Sequence, residues 1–336
     1  MNDRSDRAGV ELEEDRRSAF APEAPTPVEQ MPIPEGAEPD LGPARSLWSD
    51  AWAEMRSRVL FWVSAGLIVV FVVMAVVPQV FTFFSPNPDP YYADLGNARL
   101  APSGRAWFGY DSQGYDVYSR TIYGARSSIL VGLGATIATT VFGGIVGVFA
   151  GYFGGWIDTV LSRLADVFFA IPLLLGGILV LYTFPNTLDT PYLVMVGKVV
   201  LALGILGWPN IARLMRSSVL QVKPQDFVQA ARALGAAPTR IIFSHILPNA
   251  IAPVIAVATI NLGAYIAIEA TLSFLGIGLQ PPAISWGVAI SEASGIGLVR
   301  AAPHMLLFPS VFLSLTVLAF IMLGEVVRDA LDPKLR

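Results

Sequence analysis

Apolar stretches free of charge alternate along this chain with shorter charged ones. A charge at mid-bilayer costs roughly 2.5 kcal/mol or more, so each uninterrupted run is a candidate membrane crossing. The first run is Val59–Val77, closed by Pro78. Ser127–Ile157 is the second, longer than the ~20 residues a helix needs to cross. Val167–Leu188 is the third, interrupted by Pro172, and Thr190–Ala212 the fourth, with Lys198 its only charge. Ile246–Ile268 and Met305–Gly324 are the fifth and sixth. Ala270–Ser291 is equally uncharged, but Pro281-Pro282 and nearby glycines make it loop or re-entrant backbone. The pattern predicts an all-α polytopic membrane protein with six transmembrane helices.

Composition agrees. Hydrophobic residues are 54% and charged residues 14% of the 336, against roughly 25% charged in a soluble protein. Lys and Arg fix the orientation. With the N-terminus inside, the inner segments carry Arg4, Arg7, Arg16, Arg17, Arg45, Arg56 and Arg58, then Arg163, a run from Arg213 to Arg240, and Arg328, Lys334 and Arg336. The outer segments hold only Arg99, Arg105, Arg120, Arg126 and Arg300. Both termini are therefore expected in the cytoplasm.

The expected organisation begins with residues 1–58, a largely disordered cytoplasmic tail whose Pro/Glu/Ala stretch cannot offset its ordering entropy. Leu47, Trp48, Trp52 and Met55 form a juxtamembrane amphipathic helix at its end. Residues 59–78 are the first transmembrane helix and 79–126 an extracytoplasmic segment. Residues 127–325 form the membrane core, with a loop at 210–250, and 326–336 are a cytoplasmic C-terminus.

Much chemistry is excluded. Cysteine is absent and there are two histidines, so no metal site is expected. The one Gly-Lys pair, Gly197-Lys198, has Tyr192 where a P-loop needs its first glycine. No motif suggests hydrolysis, no catalytic residue is identified, and a net charge of −4 gives no reason to expect nucleic acid. Lys198 either snorkels or pairs within the bundle, or it lines a translocation path. Gly143, Gly147 and Gly151 are four apart, which suits close helix packing.

The 210–250 loop is the most informative segment. Phe227, Ala230, Ala231 and Leu234 recur at helical spacing from Pro224, and Gly235 supplies a stop. Pro238 opens a second helix carrying Ile241, Ile242 and His245, which Pro248 is expected to end. Small residues at 230, 231 and 235 leave one face open to another protein. The alternative is an amphipathic loop lying on lipid headgroups.

Gln229-Ala230-Ala231, Gly235 and Leu247-Pro248 resemble, in type and spacing, the EAA motif of ABC importer permeases, with Gln229 in place of Glu. Three further blocks are similar to the second permease of oligopeptide and dipeptide importers. They are Phe108–Arg126, with Tyr110 and Tyr115 replacing the usual Thr and Arg; Glu269–Gly278 with Gln280-Pro281-Pro282 and Ser285-Trp286-Gly287; and Arg328–Arg336.

The resemblance implies the type I importer permease fold and a subunit that is not itself an enzyme. It implies four kinds of partner: a homologous second permease, two ATP-binding cassette ATPases, an extracytoplasmic substrate-binding protein and membrane lipid. ATP would be bound by the ATPases, with no cofactor here, and the locale would be a bacterial plasma membrane. It places ATPase coupling at Gln229, Ala230, Ala231, Gly235, Leu247 and Pro248. A nickel or other small-solute importer shares nearly all these motifs. A scaffold or signalling subunit working through the 1–58 tail is the alternative of another class.

Overall fold

A computed structural model describes residues 47–187 and 189–331. The expected tail lies outside the described residues apart from its last turns, and so do 332–336. The described part is helical. Helix α1, Leu47–Ser57, leads into α2, Val59–Val76. A single turn, α3 at Gln79–Thr82, and an irregular stretch follow, and then α4, Val117–Phe153. Next come α5, Gly155–Phe169, α6, Leu173–Thr183, and α7, Tyr192–Val222. The loop holds α8, Asp226–Ala233, α9, Pro238–Ile241, and α10, Leu247–Ala250. Last are α11, Ala252–Phe274, α12, Trp286–Ala293, α13, Ile296–Ala301, and α14, His304–Leu331.

Helices α2, α4, α7, α11 and α14 are each long and apolar enough to cross a membrane. The third expected span differs from its prediction. It is a pair, α5 and α6, bent by 81° between Phe169 and Leu173; five helices are single crossings by length and composition, and the bent pair counted as one span makes six. Pro172 lacks the N–H that would carry a helix through, and eleven-residue α6 alone is only about 16 Å long. The short α12 agrees with reading 270–291 as no span.

Several boundaries also shift, because a charge satisfied within the fold does not end a helix. The 79–126 segment stops early, since α4 begins at Val117, ten residues before the charge-free run. Asp116 caps it by accepting from the Ser119 N–H at 2.9 Å. Arg120 pairs with Asp111 at 2.9 Å, and Arg126 donates to the Ala75 and Val76 carbonyls that end α2. At its other end α4 stops at Phe153, where Gly154 and Gly155 take positive φ. The fifth span runs over 252–274, with Glu269 buried inside it and accepting from Ser273 Oγ at 2.8 Å. The last helix passes Gly324, and its Asp329 binds Arg58 at 2.6 Å.

Two packings fix the bundle. Helix α4 lies against α7 through glycines. Trp286 is wedged fully buried among Phe71, Ile122, Ile266 and Phe320, its indole N–H donating to the Thr121 carbonyl at 2.9 Å. Other large apolar side chains, among them Trp62, Val69, Ile137, Phe149 and Leu201, are exposed along the crossings, as expected where lipid is the solvent.

Candidate functional site

Within the 224–250 segment, helix α8 is anchored to the bundle by one side chain that periodicity did not single out. Val228 is fully buried among Met215 and Val219 of α7, Ile241, Ile242 and Ile246 of the next turns, and Val254 of α11. Burial of a valine is worth about 1.5–3 kcal/mol, enough to hold an eight-residue helix that could not stand alone. Phe227, Ala230 and Leu234 lie on the opposite, exposed face, with Leu234 88% accessible and Ala231 half-buried. The row seen in the sequence is thus the outward row. The signal for Val228 was present but weak, a lone β-branched apolar residue among small and charged ones.

Gly235 ends α8 with φ +79°. Its N–H reaches the Arg232 carbonyl at 3.0 Å and the Ala236 N–H reaches Ala231 at 3.1 Å, the paired bonds of a Schellman cap. A Cβ at Gly235 would meet nothing within 4 Å, so only the backbone conformation demands glycine there. Gln229 donates its amide to the Lys223 carbonyl at 3.2 Å, closing the approach to α8. A carboxylate at 229 could not donate that bond.

Pro248 does not end the second helix as expected. The chain widens over Ile242–Ile246 into a turn in which the Leu247 N–H reaches back to the Ile242 carbonyl. It then continues through Pro248 to Ala250. A widened turn accommodates a proline that a regular helix would reject, and Asn249 Nδ2 donates to the His245 carbonyl at 2.7 Å. Leu247 packs partly into the Val228 cluster, while Pro248 is exposed.

Lys198 stands apart, about 36 Å along α7 from its end at Val222. Its ammonium donates to the Pro185 carbonyl at 2.9 Å and to Asn186 Oδ1 at 3.2 Å, which ties down the loop before α7. Gly143, Gly147 and Gly151 all face α7. A Cβ would stand 2.6 Å from the Trp208 carbonyl oxygen, 2.5 Å from that of Ala212 and 2.8 Å from Val219 Cβ, respectively. No group of three metal-ligating side chains occurs among the described residues.

The helical bundle that carries this outward-facing helix matches known membrane proteins. Residues 143–336 match the family described as the binding-protein-dependent transport system inner membrane component. The chain belongs to this family of ABC importer permeases. Residues 46–102 match the N-terminal transmembrane domain of oligopeptide transport permease C. Over 291 residues the permease is 38% identical to the oligopeptide transport system permease protein OppC of Bacillus subtilis, covering 87% of this chain and 91% of that one. It is 36% identical to the dipeptide transport system permease protein DppC of Alkalihalophilus pseudofirmus, covering 93% and 96%. It is 35% identical to the glutathione transport system permease protein GsiD of Escherichia coli, covering 87% and 92%. The permease is a multi-pass inner-membrane protein of a family that carries no cofactor and is not itself an ATPase. A binding-protein-dependent system also implies ATPase and binding-protein partners.

Proposed function

We propose that the permease forms half of a translocation path for di- or oligopeptides and couples it to ATP hydrolysis through the 224–250 segment. A homologous permease supplies the other half, two ATPases dock from the cytoplasm and a binding protein delivers peptide from outside. Both termini are cytoplasmic on this reading, as the Lys and Arg distribution supports.

One observation carries the coupling role. Helix α8 is fixed to the bundle by Val228 yet turns Phe227, Ala230 and Leu234 outward beside a glycine with open space around it. A rigidly seated, outward apolar face is what a second protein needs in order to push on the spans. Gln229, Ala230, Ala231 and Gly235 lie on or beside that face, while Leu247 packs into the Val228 cluster with Pro248 exposed beside it. The peptide class is supported by relatives named for oligopeptides, dipeptides and glutathione.

The test is reconstitution. Vesicles holding the permease, its homologous partner and the ATPases, supplied with binding protein and ATP, accumulate labelled di- or oligopeptide. Accumulation of nickel without peptide would overturn the substrate class in favour of the metal importer. Peptide uptake that proceeds without the ATPases would overturn the coupling.

A further inference from the structure

Helix α5 has its faces reversed relative to a soluble helix. Trp156, Val160, Leu164 and Val167 form an apolar row that is largely exposed, Trp156 to 76%. Asp158, Ser162 and Ala165 face the bundle instead, and the half-exposed Asp166, shared with Arg163 at 3.4 Å, reaches back to it. They meet α7 in two ion pairs. Arg216 binds Asp158 through both forks, Nε to Oδ1 at 2.5 Å and NH2 to Oδ2 at 2.7 Å, and Ser162 Oγ donates to the same carboxylate at 3.0 Å. Arg213, one turn earlier, binds Asp166 at 2.8 Å and lies 4.0 Å over the Phe169 ring. Bidentate and stacked arginines hold their partners in a fixed direction, which a point-charge lysine would not.

The space beside these pairs is an open cleft of about 330 Å³ between α4, α5 and α7, lined by Gly147, Ala150, Ala165, Asp166, Arg213 and Arg216 among others. A close-packed core resists displacement. Here side-chain packing between α5 and α7 is a small patch, Ala165 and Phe168 against Trp208 and Ala212, with the Phe168 and Trp208 rings edge-on at 5.7 Å, and the ion pairs join the helices beyond it.

Both arginines belong to the last turns of α7, which carry Met215 and Val219 of the Val228 cluster and run into α8 after Val222. At the other end of α5, the 81° break leads directly to α6. A displacement of α8 therefore reaches the end of α7, and the two arginine–aspartate pairs are the directional polar links that carry it from there to α5.

We propose that Arg213–Asp166 and Arg216–Asp158 are positioning pairs that relay the movement of the 224–250 segment to the third, broken crossing. The proposal rests on the coupling reading above. It adds a second output: besides tilting α7 directly, the segment moves α6 through α5.

The experiment uses the complete transporter in vesicles with Asp158→Arg, Arg216→Asp, the exchanged pair Asp158→Arg/Arg216→Asp, and Arg216→Lys. Three quantities are read: subunit composition, binding-protein-stimulated ATP hydrolysis, and peptide taken up per ATP hydrolysed. Single reversals should assemble and hydrolyse ATP, with uptake per ATP reduced roughly five- to a hundredfold. The exchanged pair should recover most of it, and Arg216→Lys should fall between. A merely structural role would move assembly and leave uptake per ATP in the assembled fraction unchanged. Unchanged uptake per ATP in the single reversals overturns the relay, as does an exchanged pair that assembles without recovering. Loss of assembly in every variant also overturns it, since the pairs would then only hold the subunit together. Gly235→Asp is measured in parallel. If that variant uncouples while the reversals do not, the relay fails alone; if it too stays coupled, the coupling reading fails with it.

Discussion

The backbone of Gly147 lies so close to Ala212 that a Cβ added to the glycine would stand 2.5 Å from the alanine carbonyl oxygen. The same Cβ would be 2.7 Å from Met215 Cβ, so neither neighbour could give way by rotating a side chain. The α4–α7 pair is thus set by backbone proximity. Gly147→Val should destabilise the purified permease by about 1–3 kcal/mol, the usual cost of overpacking, seen as a lower unfolding temperature in detergent. Gly144→Ala, next door but with its nearest neighbour at 3.9 Å, should be close to neutral. Equal effects would refute the packing account.

The two faces of α8 predict a split between stability and function. Val228→Asp buries a carboxylate in an apolar cluster, so it should release the segment and unfold the backbone around the already exposed Arg232 and Arg240, speeding trypsin cleavage there. Phe227→Asp alters an exposed position and should leave the digestion pattern unchanged while abolishing uptake. Normal uptake by Phe227→Asp would remove that face from the coupling surface.

Topology can be tested with two cysteines. Asp189 is exposed in the loop before α7 and Gln225 is exposed before α8. Asp189→Cys should react with an impermeant thiol reagent from outside intact cells, and Gln225→Cys should not. Labelling at 225 would invert the orientation. Ser285, which the same orientation would put outside, makes a poor probe because it is buried and accepts from the Val288 N–H as the cap of α12.

Glu292 predicts a pH dependence in α12. Burial raises its pKa above the ordinary value, opposed by the Arg120 guanidinium 3.6 Å away and reinforced by the Asp111 carboxylate. A carboxyl raised in the folded state stabilises that state in its protonated form. The stability is fully present below the unfolded value of about 4.3 and is lost as pH rises through the raised value. Amide exchange in α12 should therefore quicken as pH increases across that window, beyond the intrinsic base catalysis, and Glu292→Gln should flatten the trend. The same trend in the variant would place its origin elsewhere.

Much of this architecture was legible in the sequence, because uncharged runs are long and glycine and proline punctuate the coupling segment openly. Gly235 and Pro238 fall where the cap and the second helix begin. The misplacements share one cause: counting charges assumes that each ends a helix, whereas Arg120 and Arg126 find partners outside their own helix and Glu269 accepts from Ser273 one turn on. The broken third crossing was half visible in Pro172. Its other half, the Asp158 and Asp166 pairs with Arg216 and Arg213, joins residues 47 and 58 positions apart and has no local signature. Val228 was hidden because helical spacing identifies an apolar row without saying whether its own chain or another protein will cover it.

The central claim is that α8 and its glycine cap form the lever on which the ATPases act, and Gly235→Asp tests it most directly. Within this chain the new side chain has open space and costs only about 1 kcal/mol in backbone strain, so folding and pairing with the second permease should survive. A partner protein seated on the surface would meet an unpaired charge. In vesicles containing all subunits, binding protein and ATP, the account predicts a complex of normal composition whose peptide uptake is lost and whose ATP hydrolysis no longer responds to binding protein. Wild-type uptake by that complex would contradict it.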